Sequence, residues 1–343
     1  MKEDELIKRV QDIVNKNPVI VLGSGASIGY GIASMSRLSK VLSDHFSKKT
    51  YSDAKSKDAV SVFLDNIHLK KMGLEDALLD VHMPTPIEDE IRECVWREIQ
   101  QEDVIVYERV VSGDRLALSN LLEYMIYGRA DQVINVVTTN YDRIAEYAVS
   151  QTSAYLNTCF SNKPLGSFDI SLQQFSVRSH YEGKVNVLKV HGSLDWFEKD
   201  GVIKSFMNVR QRPKDHRPCI ITPGTNKYEK TSQPPYRDLM QQMDSVFKST
   251  TGFLCIGYGF NDLHVHPNLL SNSQKRNKPI LIVTKDITDA IQERVINAKS
   301  YPYIVLSDNG GRGTIIQSSY DSHPIEIDGK DYWSISGLLE IIK

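Results

Sequence analysis

The stretch Pro18-Val-Ile-Val-Leu-Gly-Ser-Gly-Ala-Ser27 decides the fold. Four consecutive apolar residues, Val19 to Leu22, run into a loop of glycine and small side chains. An unbroken apolar run lacks the alternation of a half-exposed strand, so it reads as a strand buried on both faces, as in a parallel sheet covered by helices. Glycine opens turn angles closed to other residues and lets a ligand approach the backbone. Helical spacing of apolar residues resumes shortly afterwards. A helix start offers an anion unpaired N–H groups and a positive dipole end. The order strand, glycine turn, helix therefore predicts a phosphate-binding turn and points to a nucleotide.

Similar runs recur at 133–137, 185–190, 219–221, 253–256, 280–283 and 303–306. Helical patterns lie between several of them: Ile144, Tyr147 and Ala148 follow one, and Met240, Met243 and Phe247 precede another. Alternating strands and helices predict a doubly wound, Rossmann-like α/β domain with a parallel sheet. The stretch of about 35–130 differs. It carries helical spacing at Leu38–Val41–Leu42, Val60–Phe63–Leu64–Ile67, Ala77–Leu78–Val81 and Leu118–Leu121–Leu122–Met125, and no strong strand signal. It is too long for a connecting loop and reads as a helical insertion subdomain, divided by Pro84 and Pro86. Residues 151–184 and 200–218 are polar and read as loops or short elements. The organisation expected is a domain over 1–307 containing the insertion, followed by a small C-terminal extension over 308–343.

Composition sets outer limits. The chain has 343 residues, 24% charged and 41% hydrophobic, with a net charge of −2. These values suit a globular protein and give no overall attraction to nucleic acid or anionic membrane. No apolar stretch approaches the roughly 20 residues that span a bilayer. The start, Met1-Lys-Glu-Asp-Glu-Leu-Ile-Lys8, is acidic and amphipathic, unlike a secretory leader. The four cysteines, Cys94, Cys159, Cys219 and Cys255, are scattered without a close pair, so no thiolate zinc site is expected and the usage fits the cytoplasm.

Four polar segments each follow an apolar run: Gly23-Ser-Gly-Ala-Ser27, Thr138-Thr-Asn-Tyr-Asp142, His191-Gly-Ser-Leu-Asp195 and Gly257-Tyr-Gly-Phe-Asn-Asp262. In an open parallel sheet, ligands bind outside the carboxyl ends of the strands, so the four segments are expected in one cleft. Each also has a plainer reading. Asn140 and Asp142 are good helix-capping types, His191 before glycine can be a turn residue, and Gly257 and Gly259 can serve close packing. His264 and His266 have metal-ligand spacing, but no cysteine or acidic cluster completes a set, and no metal is expected. Trp96, Trp196 and Trp333 read as packing residues.

The order Gly-Ser-Gly-Ala-Ser, Thr-Thr-Asn-Tyr-Asp, His-Gly-Ser resembles the sirtuin family, with Gly31-Ile32 matching the pair that follows the first loop there. The late Gly-Tyr-Gly-Phe-Asn-Asp-Leu-His segment is similar to the sirtuin-like NAD-hydrolysing domains of bacterial antiphage systems, including those associated with a HerA-type ATPase. The two Cys-x-x-Cys zinc pairs of sirtuin deacylases are missing, and Ala33-Ser-Met-Ser36 replaces their Pro-Asp-Phe-Arg segment. The resemblance implies a zinc-free sirtuin-like fold and a cytoplasmic NAD+ glycohydrolase. That enzyme would cut NAD+, its substrate, to nicotinamide and ADP-ribose, and would be held in check until an antiphage cue. A homo-oligomer and a HerA-type partner are implied with it. Asn140 and His191 would be catalytic. Gly23, Ser24, Gly25, Ala26 and Ser27 would cradle the pyrophosphate, and Asp142 would contact the carboxamide or hold the loop. Thr139 would join them, with Gly257, Tyr258 and Gly259 along the adenosine side and Asp262 capping the next helix or touching ribose. An NAD-dependent protein deacylase and a non-catalytic NAD or ADP-ribose sensor remain the alternatives.

Overall fold

Neighbouring residues of the central strands belong to different hydrophobic cores. Ile20 and Leu22 pack into one cluster and Val19 and Val21 into another; Leu254 and Ile256 divide likewise from Phe253 and Cys255. Side chains alternate across a strand, so a run that is apolar at every position must be covered on both faces. In the computed structural model, residues 3–127, 132–174, 176, 180–207, 209–222 and 232–343 are described.

The elements follow in chain order as α1 (Glu3–Asn15), β1 (Val19–Leu22), α2 (Gly25–Ile28), α3 (Met35–Phe46), α4 (Ala54–His68), α5 (Leu74–Leu79), α6 (Thr85–Val111), α7 (Ala117–Ile126), β2 (Gln132–Thr138) and α8 (Ile144–Ser150). Strands β3 (Ala154–Asn157), β4 (Leu165–Ser167), β5 (Gly183–Lys189), β6 (Gly192–Lys199), β7 (Val202–Phe206) and β8 (Arg217–Ile220) come next. Then come α9 (Tyr236–Ser249), β9 (Phe253–Ile256), α10 (His266–Arg276), β10 (Ile280–Thr284), α11 (Asp289–Ile291), β11 (Tyr303–Asp308), β12 (Gly313–Ser318), β13 (Ile325–Asp328) and α12 (Ile335–Ile342).

A nine-stranded sheet has the order β13-β12-β11-β10-β9-β1-β2-β5-β3. All its pairings from β11 to β3 are parallel, and β12 and β13 add antiparallel strands at one edge. Residues 308–343 thus supply the outer strands of this sheet and α12, which packs on α1 and α7. The expected α/β architecture with a large parallel sheet is what the structure shows.

The described part of the 35–130 stretch is helical, α3 to α7; residues 128–130 lie outside the described residues. Ser34 and Asp53 start α3 and α4 by accepting from Arg37 N (3.2 Å) and Ser56 N (2.7 Å). Pro84 and Pro86 divide the stretch between α5 and α6, as expected, and open α6, where a missing N–H costs nothing.

One expectation needs correction. Residues 219–221 are not a strand of the parallel sheet: β8 lies in a second, antiparallel sheet ordered β4-β7-β6-β8. The stretches 151–184 and 200–218 hold short elements, as expected: β3, β4, β7 and the start of β8. A buried apolar run does not say which sheet buries it. Asp200 and Gly201, both with positive φ (52° and 76°), form the tight turn between β6 and β7. An Asp-Gly pair is a hairpin signal that was there to be read.

Two buried ionic contacts hold the turn after β2. Asp103 of α6, fully buried, accepts from Arg143 N (2.7 Å), Arg143 Nε (2.8 Å) and Tyr147 OH (2.6 Å). This ties the helical insertion to the start of α8. Lys189, at the end of β5, donates to the Tyr141 carbonyl (3.2 Å), to the Asp142 carbonyl and to Glu146 Oε1 (3.0 Å). Burial raises the pKa of the Asp142 and Glu146 carboxyls, and Lys189 pulls both back.

Breaking a buried pair strands the remaining charge, at about 3–5 kcal/mol. Asp103→Ala should lose stability of this order in urea unfolding, because it leaves Arg143 buried without its partner. Lys189→Met should lose a similar amount at neutral pH. Carboxyls with raised folded pKa values give stability that is fully present below the ordinary carboxylate range and lost as pH rises through the folded values. Removing Lys189 raises those values further, so the deficit of Lys189→Met should be larger at pH 8 than at pH 5 in the same unfolding measurement.

Candidate functional site

Strand order reverses at β1. From β1 the chain builds outward through β2, β5 and β3, then returns to β9 on the other side and continues to β10 and β11. A crevice forms where such an order reverses, at the carboxyl ends of the strands. A cleft of about 1000 Å³ occupies this position. It is lined by Gly23, Ser24, Gly25, Ala26, Ser27, Thr139, Asn140, Asp142, His191, Gly257, Tyr258, Gly259 and Asp262, the residues expected to hold or cut NAD; His264 and His266 are not among its lining.

The first loop is held by backbone contact. A Cβ on Gly23 would lie 2.5 Å from the Gly257 carbonyl oxygen, and one on Gly257 would lie 2.1 Å from Ala26 N. Gly257 also has φ of 57°, in the left-handed region. Gly23 N donates to the Ile256 carbonyl (3.1 Å) and Gly25 N to the Gly257 carbonyl (3.0 Å). Ala26 N and Ser27 N donate to the carbonyls of Gly23 and Ser24, both at 3.0 Å. These amides hold the loop itself, while Ser24 lies exposed on the cleft side. Gly257 is thus first a packing glycine, and the close backbone approach is loop to loop.

Asn140 locks the second turn to the first. Its Nδ2 donates to the Gly23 carbonyl (2.9 Å) and to Ser27 Oγ (3.1 Å). Thr138 Oγ1 accepts from Asn140 N (3.0 Å) and donates to the Leu22 carbonyl (3.1 Å). With the amide NH2 spent on the loop, what Asn140 offers a ligand is Oδ1, an acceptor. Asp142 is buried, and its Oδ1 accepts from Ile144 N at 3.1 Å, so it holds the turn at the start of α8.

Val190 and His191 are the whole connection between β5 and β6. Gly192 follows with φ of 87°, and a Cβ there would lie 2.0 Å from the Cys219 carbonyl oxygen. Gly192 to Asp195 form the start of β6. The His191 carbonyl accepts from Ile221 N (2.8 Å), and the ring lies on the cleft with its Nε2 3.3 Å from Asp262 Oδ2. Asp262 Oδ1 accepts from His264 N (2.9 Å) and Val265 N (3.2 Å), capping the approach to α10. His264 stands edge-on to His191, ring centres 6.4 Å apart, and His266 lies against Arg294. Among the described residues no group of three potential metal ligands gathers.

Tyr258 lies 3% exposed, and its hydroxyl makes no hydrogen bond among the described residues. Burial first, then the Asp262 charge, raises its pKa well above the ordinary phenol value, so it stays a neutral donor. Trp96 and Trp196 are buried as expected, Trp96 Nε1 donating to the Leu194 carbonyl at 2.9 Å.

Other cleft residues escaped the sequence reading. Glu75 on α5 and Met35 on α3 come from the helical insertion, Lys285 and Asp286 follow β10, and Trp333 and Ser334 precede α12. The spacing around Glu75 reads only as a core helix. Trp333 carries no local mark of a ligand wall, so its expected packing role leaves out its place on the cleft.

A family model for the SIR2-like domain matches residues 134–304, from β2 into β11, leaving the first loop and the whole insertion outside. No curated protein matches the sequence. Among solved structures, one from work on the mechanism and regulation of Sir2 enzymes aligns at 14% identity over 84% of this chain and 89% of that chain, with a TM-score of 0.41. A triply substituted Sir2 homologue in complex with 2′-O-acetyl ADP ribose aligns at 16% identity over 90% and 91% of the two chains, with a TM-score of 0.46. Sir2Tm bound to a propionylated peptide aligns at 13% identity over 82% and 88%, with a TM-score of 0.42. The chain thus carries a SIR2-like domain, and the turns after β2, β5 and β9 lie within it.

Proposed function

We propose that this protein is an NAD+ glycohydrolase. The observation that carries the reading is the meeting of the Gly23–Ser27 loop, Asn140 and His191 on one cleft at the strand-order reversal. The SIR2-like domain match supports NAD as the ligand. The glycine loop and Ser24 border the place for the pyrophosphate, and Gly257, Tyr258 and Gly259 the adenosine side. Asn140 Oδ1 is an acceptor for a ribose hydroxyl or the attacking water.

In NAD+ the nicotinamide is a cationic leaving group, so its departure needs no proton donor. The bond from C1′ to the nicotinamide nitrogen breaks, its electron pair goes to that nitrogen, and the sugar passes through an oxocarbenium-like state. Water oxygen then bonds to C1′ and its proton passes to His191, a residue suited to proton transfer near neutral pH. The products are nicotinamide and ADP-ribose. Loss of NAD would harm the cell that makes such an enzyme, so the proposal includes restraint released by an antiphage cue. A HerA-type partner and self-assembly are the means that the sequence resemblance implies.

The test is chromatography of purified protein incubated with NAD+, alone and with a HerA-type ATPase encoded beside it, with binding measured on the same samples. Nicotinamide should appear with ADP-ribose and without an acylated peptide. His191→Ala should slow release by about 10²–10⁴-fold, the usual worth of a general base. Asn140→Ala should slow it also. Undiminished release in both variants overturns the site assignment. Nicotinamide only with acylated peptide makes the protein a deacylase, and binding without release makes it a sensor.

A further inference from the structure

Asp262 is held from one side and aimed from the other. Oδ1 is fixed by the amides of His264 (2.9 Å) and Val265 (3.2 Å), which leaves Oδ2 3.3 Å from His191 Nε2, within ion-pair distance but outside hydrogen-bond alignment. The two side chains are only 5% and 10% exposed, for His191 and Asp262 respectively. They arrive from opposite sides of the sheet centre, His191 after β5 and Asp262 after β9, with β1 and β2 between. A cap for α10 needs no histidine, and a turn after β5 needs no carboxylate from across the sheet. A buried carboxylate beside an imidazole fixes the ring, selects which nitrogen carries the hydrogen and favours the protonated form.

We propose that Asp262 is a positioning residue for His191, and that the two act as one acid–base pair in the hydrolysis of the bound dinucleotide. This rests on the glycohydrolase reading above. With Nε2–H turned to Asp262 Oδ2, the neutral ring keeps its lone pair on Nδ1. As the C1′–N bond breaks and water oxygen bonds to C1′, the water proton passes to Nδ1. The resulting imidazolium faces a carboxylate that stays ionised, and its proton returns to solvent after product leaves. A separation of 3.3 Å is long for a tight bond, and such contacts commonly shorten once substrate is bound.

The other titratable groups around the pair are His264 and Tyr258 on the Asp262 turn, Tyr141 on the turn after β2, and Glu75 on α5. The field of Glu75 reaches Tyr141 and Tyr258, as does that of Asp262. His264 meets the His191 ring edge-on. Asp262 touches the ring itself, so its charge is the one whose removal should be read at His191.

Asp262→Asn keeps an oxygen for the two amides and removes the charge. Histidine NMR titration, with the His191 signal identified by its loss in His191→Ala, needs no substrate. In Asp262→Asn, His191 should titrate at lower pH than in the unaltered protein. The acid limb of the kcat profile for nicotinamide release should move down with it. kcat should fall at least about tenfold. In the unaltered protein, 15N shifts should show the hydrogen on Nε2, a readout that requires no variant to fold. An Nδ1-protonated ring, identical His191 titration in both proteins, or an unchanged kcat profile overturns the pairing. If the 15N and titration results hold but the unaltered protein releases no nicotinamide, the glycohydrolase reading fails and the catalytic role of the pair fails with it.

Discussion

Two glycine turns in backbone contact govern the rest of this structure. β1 and β9 are parallel neighbours in register, so the turns that leave them must share one space. Gly23 and Gly25 meet Gly257 at distances where a Cβ on any of the three would overlap main-chain atoms. The four-residue α2 starts against Gly257 in the turn after β9, Ser27 is turned toward Asn140, and the floor of the cleft follows from that placement. The glycines are required by the protein's own backbone before any ligand arrives. The same close approach leaves Ser24 on the rim, open to the cleft.

Around that contact, ionisable side chains are held by partners from distant elements. Lys189 reaches from β5 to the turn after β2, and Asp103 reaches from the insertion to α8. The histidine turn is pinned between the two sheets, because Gly192 lies against the Cys219 carbonyl of β8. A group mounted on paired strands is placed more precisely than one on a free loop. The second sheet therefore sets the position of His191, and the helical insertion brings Glu75 and Met35 to the opposite wall.

Much of the central sheet was legible because its physical cause is local. Val19 to Leu22 and Phe253 to Ile256 are apolar at every position, and only a strand buried on both faces satisfies that pattern. The polar contents of the turns were legible for the same reason, since Asn140 and His191 each stand just after such a run. The second sheet was harder to read. β4 has three residues and β7 is half-exposed, so neither has a strong pattern, and the Asp200-Gly201 hairpin turn was the one clear local sign. Glu75 and Trp333 had no sign at all: one lies in an ordinary amphipathic helix, the other in a segment whose neighbours are known only once α12 is placed.

Local residue type and periodicity, read from the sequence by itself, determined the buried strands, the helical character of the insertion and the chemistry carried by each turn. Only the tertiary structure decided which turns touch. That Gly257 lies against Gly23, that Asn140 spends its amide hydrogens on the first loop, and that Asp262 faces His191 all depend on strand order. The reason is physical: each contact joins residues far apart along the chain. Their separation is set by the sequence in which the strands add to the sheet, and no local pattern of residues specifies it.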